Sequence, residues 1–503
     1  MRIEPVDEEP SSPQAYEGYP PAGYPRGRFV LFLVLVAALL IFIGVVERLS
    51  LQAGEEPAMQ ESALEGDVSM KLSYAYRRWM SSLPANRGLE QRIEAFEEAQ
   101  RVSAIALYRR AVAEKPSPEN LRRLIIVQYP SERAAAIEQL AVRERLDLHT
   151  RRGLQGEAAM WRDIYLSRRT LLPAQVRAYA ARIRSLDLGW YEHLALADLF
   201  RRAGMPGAAE KARLAAAGSA AWTVGSLLSL LALLGLLGLI GVVLLRWYVL
   251  RKGGQRAEAA VREPAGYVRE LRAGLLLEAF VVYLAVTVVT QMTAGVIAGA
   301  RMAVVGEASP TAEALFTACV YVLSGLLALL YLAYRLRSVG WSWRLVGFTT
   351  RNPFRDILWG IGGYAAALPL LLIAGVISRF VGRFVESPTN PVIPLFAETE
   401  TLVGRAILFA LAVLIAPFVE ELFFRGVLFN SFRAKWSVAA GIVLSAAVFA
   451  SVHPLPVQFL PIFVLGSVFA TLFHERGSLL SSAVAHGLNN GVLFVLILIL
   501  TGG

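Results

Sequence analysis

Three clusters of polar side chains lie inside the hydrophobic C-terminal stretch of this chain: Glu420, Glu421 and Arg425; Phe449 and His453; His486 and Asn490. Charged and imidazole groups are expensive in hydrocarbon, so their presence there points to chemistry. Three of the five histidines, His453, His474 and His486, fall in this stretch. Successive side chains on a helix diverge by about 100°, so Glu420 and Glu421 cannot point the same way, whereas Glu421 and Arg425, four apart, share a face. The expected division is a structural Glu421–Arg425 pair and a free Glu420. A carboxylate facing a dehydrated cavity becomes a stronger base, as water activation requires. The alternative is that these groups snorkel at a helix end.

His453 closes the next apolar segment ahead of Pro454, with Phe449 one turn earlier on the same face. A lone histidine at a helix end is more often a satisfied core or interface group. His486 and Asn490 are again four apart, stacked on one face of the last apolar segment. Both can donate to a single oxygen, as an oxyanion hole demands, and both would equally serve as polar ties between helices. At 1.5 Å per residue from the flanking connectors, Glu420 and His486 lie at depths of roughly 18 and 15 Å, and His453 at roughly 27 Å. Helix tilt or an early end to its span would bring His453 level.

The elements that must position these groups are membrane helices. With 55% hydrophobic and only 18% charged residues, the chain is too apolar for a water-soluble protein. Apolar runs at 29–46, 222–245, 275–300, 315–334, 357–377, 402–429, 436–452, 457–473 and 479–500 predict about nine spans, the C-terminal eight packed as one bundle. The fold class expected is all-α: a polytopic helix bundle with a soluble helical domain between the first two spans. The domains expected are a disordered tail (1–28), an uncleaved anchor (29–47), the soluble domain (48–220) and the bundle (221–503). Two pieces of the soluble domain, 104–116 and 196–204, resemble helices of tetratricopeptide-type repeats.

The formal charge of +10 reflects orientation rather than nucleic-acid binding, because no nucleic-acid motif accompanies it. Arginine-rich connectors after the second and fourth spans read as cytoplasmic, which places the N-terminus in the cytoplasm and the helical domain and C-terminus outside the cell membrane. The single cysteine, Cys319, supports neither a disulfide framework nor a thiolate metal site.

The spacings EExxxR, FxxxH and HxxxN, in that order on successive apolar segments, resemble those of the CPBP family of intramembrane proteases. This group includes the type II CAAX prenyl proteases and the bacteriocin-processing or bacteriocin-immunity (Abi) proteins. All positions match, over roughly residues 357–500. The resemblance implies peptide-bond hydrolysis within the membrane, on a membrane-associated peptide or a lipidated protein. It assigns Glu420 and His453 as the base and its partner, and His486 with Asn490 as oxyanion donors; Asn489, three residues from His486, is a substitute for Asn490. Glu421, Arg425 and Phe449 become supporting residues. Glu420, His453 and His486 could instead hold zinc with one open position. HExxH is absent, and neither GxSG nor GxGD occurs in any span. The competing readings are a non-catalytic immunity or scaffold protein and a proton-coupled transporter using Glu420 and His453. The helical extension is expected to recruit a protein partner outside the membrane, and residues 379–401 form a proline-bearing connector at the outer mouth of the bundle.

Overall fold

The computed structural model describes residues 26–53, 61–84, 86–114, 116–146, 156–186, 188–255, 266–306, 308–349, 352–383, 395–396, 399, 401–453 and 456–501. Among these every regular element is helical and none is a strand. The N-terminal tail before Arg26 and most of the connector 379–401 lie outside the described residues.

Among the described residues seven helices are long and apolar enough to cross a membrane, and two shorter apolar helices accompany them, so the chain is a multi-pass, all-α membrane protein. The membrane-type helices are α1 (Arg26–Ala53), α9 (Pro206–Gln255), α10 (Gly266–Val305), α11 (Pro310–Ser338), α12 (Pro353–Val381), α13 (Leu402–Lys435), α14 (Val438–Ser451), α15 (Phe459–Arg476) and α16 (Leu479–Thr501). Their starts are written in the sequence. Ser309, Asn352, Thr401 and Ser437 each cap a helix by accepting a backbone N–H two or three residues into it, and proline fills the first position of α11 and α12. Two expectations change in detail. The anchor helix runs to Ala53, past residue 47. No break falls at 220/221, because the alanine-rich segment ahead of that point is itself helix-forming and α9 continues through it. At 14 residues, α14 is the shortest of the apolar helices.

The residues cluster into two compact units. One is dominated by α2 (Glu61–Met80), α3 (Arg87–Glu114), α4 (Pro118–Val127), α5 (Arg133–Leu146), α6 (Glu157–Tyr165), α7 (Pro173–Arg184) and α8 (Tyr191–Arg202). Its core gathers Tyr108, Leu121, Leu140, Trp161 and Tyr191. The buried Glu157 is paired, as burial requires: Arg122 grips it through two bonds of 2.8 Å, and it also accepts the Trp161 indole N–H at 3.0 Å.

The second unit contains α1, the later part of α9, and α10 to α15 with most of α16. Its core centres on α13, where residues 422–429 are all buried against Phe280, Leu332, Val346 and Phe473. Here α9 and α12 cross at very short range. Pro369, inside α12, offers no N–H to the carbonyl four residues earlier, Ala365 O. Gly241 of α9 lies against that freed carbonyl, so closely that a Cβ at 241 would stand 1.9 Å from it. Gly241→Ala is therefore expected to destabilise the bundle by about 1–3 kcal/mol, the range for overpacking a tight contact. Thermal unfolding of the detergent-solubilised protein checks this, and an unchanged midpoint would refute the crossing.

Candidate active site

The signature residues sit on α13, on α14 and just past its end, and on α16, and α13 carries the first of them in an irregular stretch. Between regular turns, Leu411–Ile415 and Leu422–Phe429 adopt the wider π geometry, bracketing Ala416–Glu421. Such bulges are frequent at functional sites. A proline explains part of the first. The Ala416 N–H bonds Leu411 O, five residues back. The next residue, Pro417, has no N–H for Ala412 O in that register or for Val413 O in the regular one. From α16, Asn490 Nδ2 donates to Ala412 O at 2.9 Å. Gly487, one turn earlier on the same face, comes so close to Val413 O that a Cβ would stand 2.7 Å away. The proline thus opens a backbone edge on which the His486-bearing helix docks.

The two adjacent carboxylates have different surroundings. Glu421 is wholly buried. Its Oε1 lies 3.0 Å from Arg425 Nη1 and accepts from His486 Nδ1 at 2.9 Å. Arg425, 1% exposed, donates from Nη2 to Gly466 O at 3.3 Å and lies over the Phe449 ring at 4.4 Å. Glu421 Oε2, Arg425 Nε and Arg425 Nη1 make no hydrogen bond within the protein. Buried charges paired this incompletely do not raise stability over an apolar core, so their presence is better explained by function. The side chain of Glu420 retains 19% exposure. Its Oε1 accepts the Tyr321 phenol at 3.1 Å, and its Oε2 stands 3.8 Å from His486 Nε2. Glu420 is therefore not a free carboxylate but one with one oxygen held and the other facing an imidazole.

The imidazoles are fixed by their surroundings. His486 stacks on Phe469 (5.0 Å between centroids, 22° between planes) and meets the Phe449 edge at 5.7 Å. His453 follows the end of α14, with Nδ1 2.8 Å from Phe449 O and its ring 4.9 Å from the Phe449 ring. Phe449 O and the Glu421 carboxylate can only accept, so each Nδ1 carries a proton and each Nε2 is left for chemistry. Phe449 touches Arg425, His453 and His486 together and is the common wall of the cluster.

The structure brings Glu420, Glu421, Arg425 and His486 into one contact network, with Phe449 joining His453 to it. His453 makes no ion pair with Glu420 among the described residues; its early helix end places it beside Phe449 instead. Asn490 bonds a backbone carbonyl, and Asn489 Nδ2 donates to Asn490 Oδ1 at 3.2 Å. The proposed zinc set does not fit this arrangement. Among the described residues no three His, Cys, Asp or Glu side chains form a group that could hold an ion: Glu420 Oε2 and His486 Nε2 face each other at 3.8 Å, but His453 turns its Nδ1 to Phe449 O and does not complete the set. Tyr321, Pro417 and Phe469 were not among the residues singled out. Pro417 was legible as a helix breaker in an apolar run, whereas nothing in the sequence distinguishes Tyr321 from other membrane tyrosines.

The Asn490 contact is testable by a double-mutant cycle. Asn490→Ala is expected to cost about 1–3 kcal/mol by orphaning Ala412 O. In a Pro417→Ala background, where the helix supplies an N–H of its own, that cost should shrink; equal costs in both backgrounds would refute the link.

No curated protein and no solved structure matches the chain. Residues 402–492, less than a fifth of the sequence, match the family described as type II CAAX prenyl endopeptidase Rce1-like, a narrower stretch than 357–500. That match runs from α13 into α16 and contains all seven signature residues. This stretch is similar to the Rce1-like type II CAAX prenyl endopeptidases, a likeness that supports a membrane-embedded protease of that general type.

Proposed function

We propose that the protein hydrolyses a peptide bond of a membrane-associated or lipidated substrate, with Glu420 as the general base. The observation that carries this reading is the contrast between the two glutamates: Glu421 is consumed by Arg425 and His486, while Glu420 keeps an accessible oxygen 3.8 Å from His486 Nε2. That separation is too long for a direct hydrogen bond and suits a water seated beside both atoms.

In this mechanism the water oxygen attacks the scissile carbonyl carbon while Glu420 takes its proton, and His453 Nε2 supplies a second acceptor as the substrate closes the site. The tetrahedral oxyanion is held by His486 Nε2–H and by the Asn490 amide N–H not engaged with Ala412 O. For His486 to donate from Nε2 while Nδ1 donates to Glu421, it must be the imidazolium. That form also brings the cluster of Glu420, Glu421, Arg425 and His486 to electrical neutrality. Collapse breaks the C–N bond, and the proton held by Glu420 passes to the leaving amine. Glu421 acts throughout by orienting the imidazole.

The basic connectors support a cytoplasmic N-terminus, with the helical domain and C-terminus on the opposite side of the membrane. There the helical domain would hold substrates or a protein partner.

Comparative proteomics of membrane peptides tests the reading. Cells carrying Glu420→Gln should lose every cleavage that the wild type performs, with folded protein in equal amount, and a chelator should leave wild-type cleavage intact. Cleavage that persists in Glu420→Gln overturns the assignment of the base.

A further inference from the structure

We infer that Tyr321 is a positioning residue for the hydrolytic carboxylate, holding Glu420 so that Oε2 faces the water and His486. The inference rests on Glu420 being the base, and it adds a group from α11, a helix outside the matched residues 402–492.

The geometry has two independent parts. The first is the bond itself: the Tyr321 phenol O–H donates to Glu420 Oε1 at 3.1 Å, while Oε2, the other oxygen of the same carboxylate, stands 3.8 Å from His486 Nε2. The second is the helix contact that makes the bond reachable. Gly325 lies four residues after Tyr321, on the same face of α11. A Cβ at 325 would stand 3.3 Å from both methyl carbons of Val419, the residue directly before Glu420. The glycine therefore lets α11 approach α13 at the level of the carboxylate, and the tyrosine one turn earlier spans the remaining distance. Glutamate reaches its carboxylate through several rotatable bonds. Binding one oxygen to a phenol on a neighbouring helix removes most of that freedom and fixes which oxygen meets the water. A phenol suits this role: it is too weak an acid to take over as base, and it has a single O–H to give.

The experiment uses full-length protein in lipid nanodiscs. The probe is a synthetic peptide spanning a cleavage site found by the proteomic comparison above. Tyr321→Phe keeps the ring and removes only the hydroxyl. It is expected to lower kcat about 10- to 100-fold while KM stays within about twofold and the unfolding midpoint stays at the wild-type value. Gly325→Leu keeps the hydroxyl but forces α11 away, and its kcat should fall in the same direction. A Tyr321→Phe enzyme with wild-type kcat, or one whose loss lies wholly in KM or follows a lowered unfolding midpoint, overturns the inference. If Glu420→Gln is inactive while Tyr321→Phe is normal, only the role of Tyr321 falls. If Glu420→Gln cleaves at the wild-type rate, the assignment of the base falls and the role of Tyr321 with it.

Discussion

A fully buried carboxylate shared between a guanidinium and an imidazole is the constraint on which the rest of the site depends. Glu421 cannot be solvated where it lies, so its charge must be met from within the protein. Arg425 meets it from the same helix and His486 from α16, and Arg425 also reaches Gly466 O on α15. One charge thereby ties three helices at one level. The same bond sets the imidazole: a carboxylate oxygen on Nδ1 holds a proton there and decides which way Nε2 points. Glu420, one residue earlier and about 100° around the helix, is left to face Nε2 from the other side.

Proline and glycine shape the backbone around this tie, and they do so by the same device twice. Pro369 frees Ala365 O and Gly241 abuts it; Pro417 leaves Ala412 O and Val413 O without its N–H, and Asn490 and Gly487 come against them. In an apolar medium a carbonyl without a donor is costly, so each proline creates a demand that a neighbouring helix must answer at close range. At Pro369 the answer is packing alone. At Pro417 it also brings in an amide side chain, one turn from His486, and so couples the backbone irregularity of α13 to the placement of the imidazole on α16.

How much of this the sequence displays follows from the range of each interaction. Glu421–Arg425 is a contact within one helix turn, and 3.6-residue periodicity makes it readable; so is the shared face of His486 and Asn490. The membrane helices are equally plain, because apolar runs and capping residues are local signals. The hydrogen bond from His486 to Glu421 was not readable, since periodicity says which residues share a face but not which face meets which. The same holds for Tyr321, whose partner lies 99 residues away. For His453 the sequence shows the Pro454 that closes its segment, but not that α14 stops at Ser451 and that the imidazole Nδ1 turns to Phe449 O. The expected metal set shows a different limit: residue types that suit zinc say nothing of whether their free lone pairs converge.

Adjacent glutamates with unequal surroundings would, if Glu420 is the base as proposed, also resolve a conflict between holding a helix bundle together and reacting with water. A carboxylate that anchors an arginine and a histidine is poorly suited to accept a proton, because protonation would release both partners and leave them charged and buried. A carboxylate that accepts and returns a proton in every cycle cannot be the anchor for the same reason. Placing the two functions on Glu421 and Glu420 lets the anchor stay ionised while its neighbour changes charge. Because the neighbours diverge around the helix, the proton cycle proposed for Glu420 would be set apart from the Glu421–Arg425 pair, with His486 facing both carboxylates. In the proposed mechanism a change of proton on Glu420 would therefore be felt first at His486 Nε2, the atom assigned there to the developing oxyanion, and not by the Glu421–Arg425 ion pair.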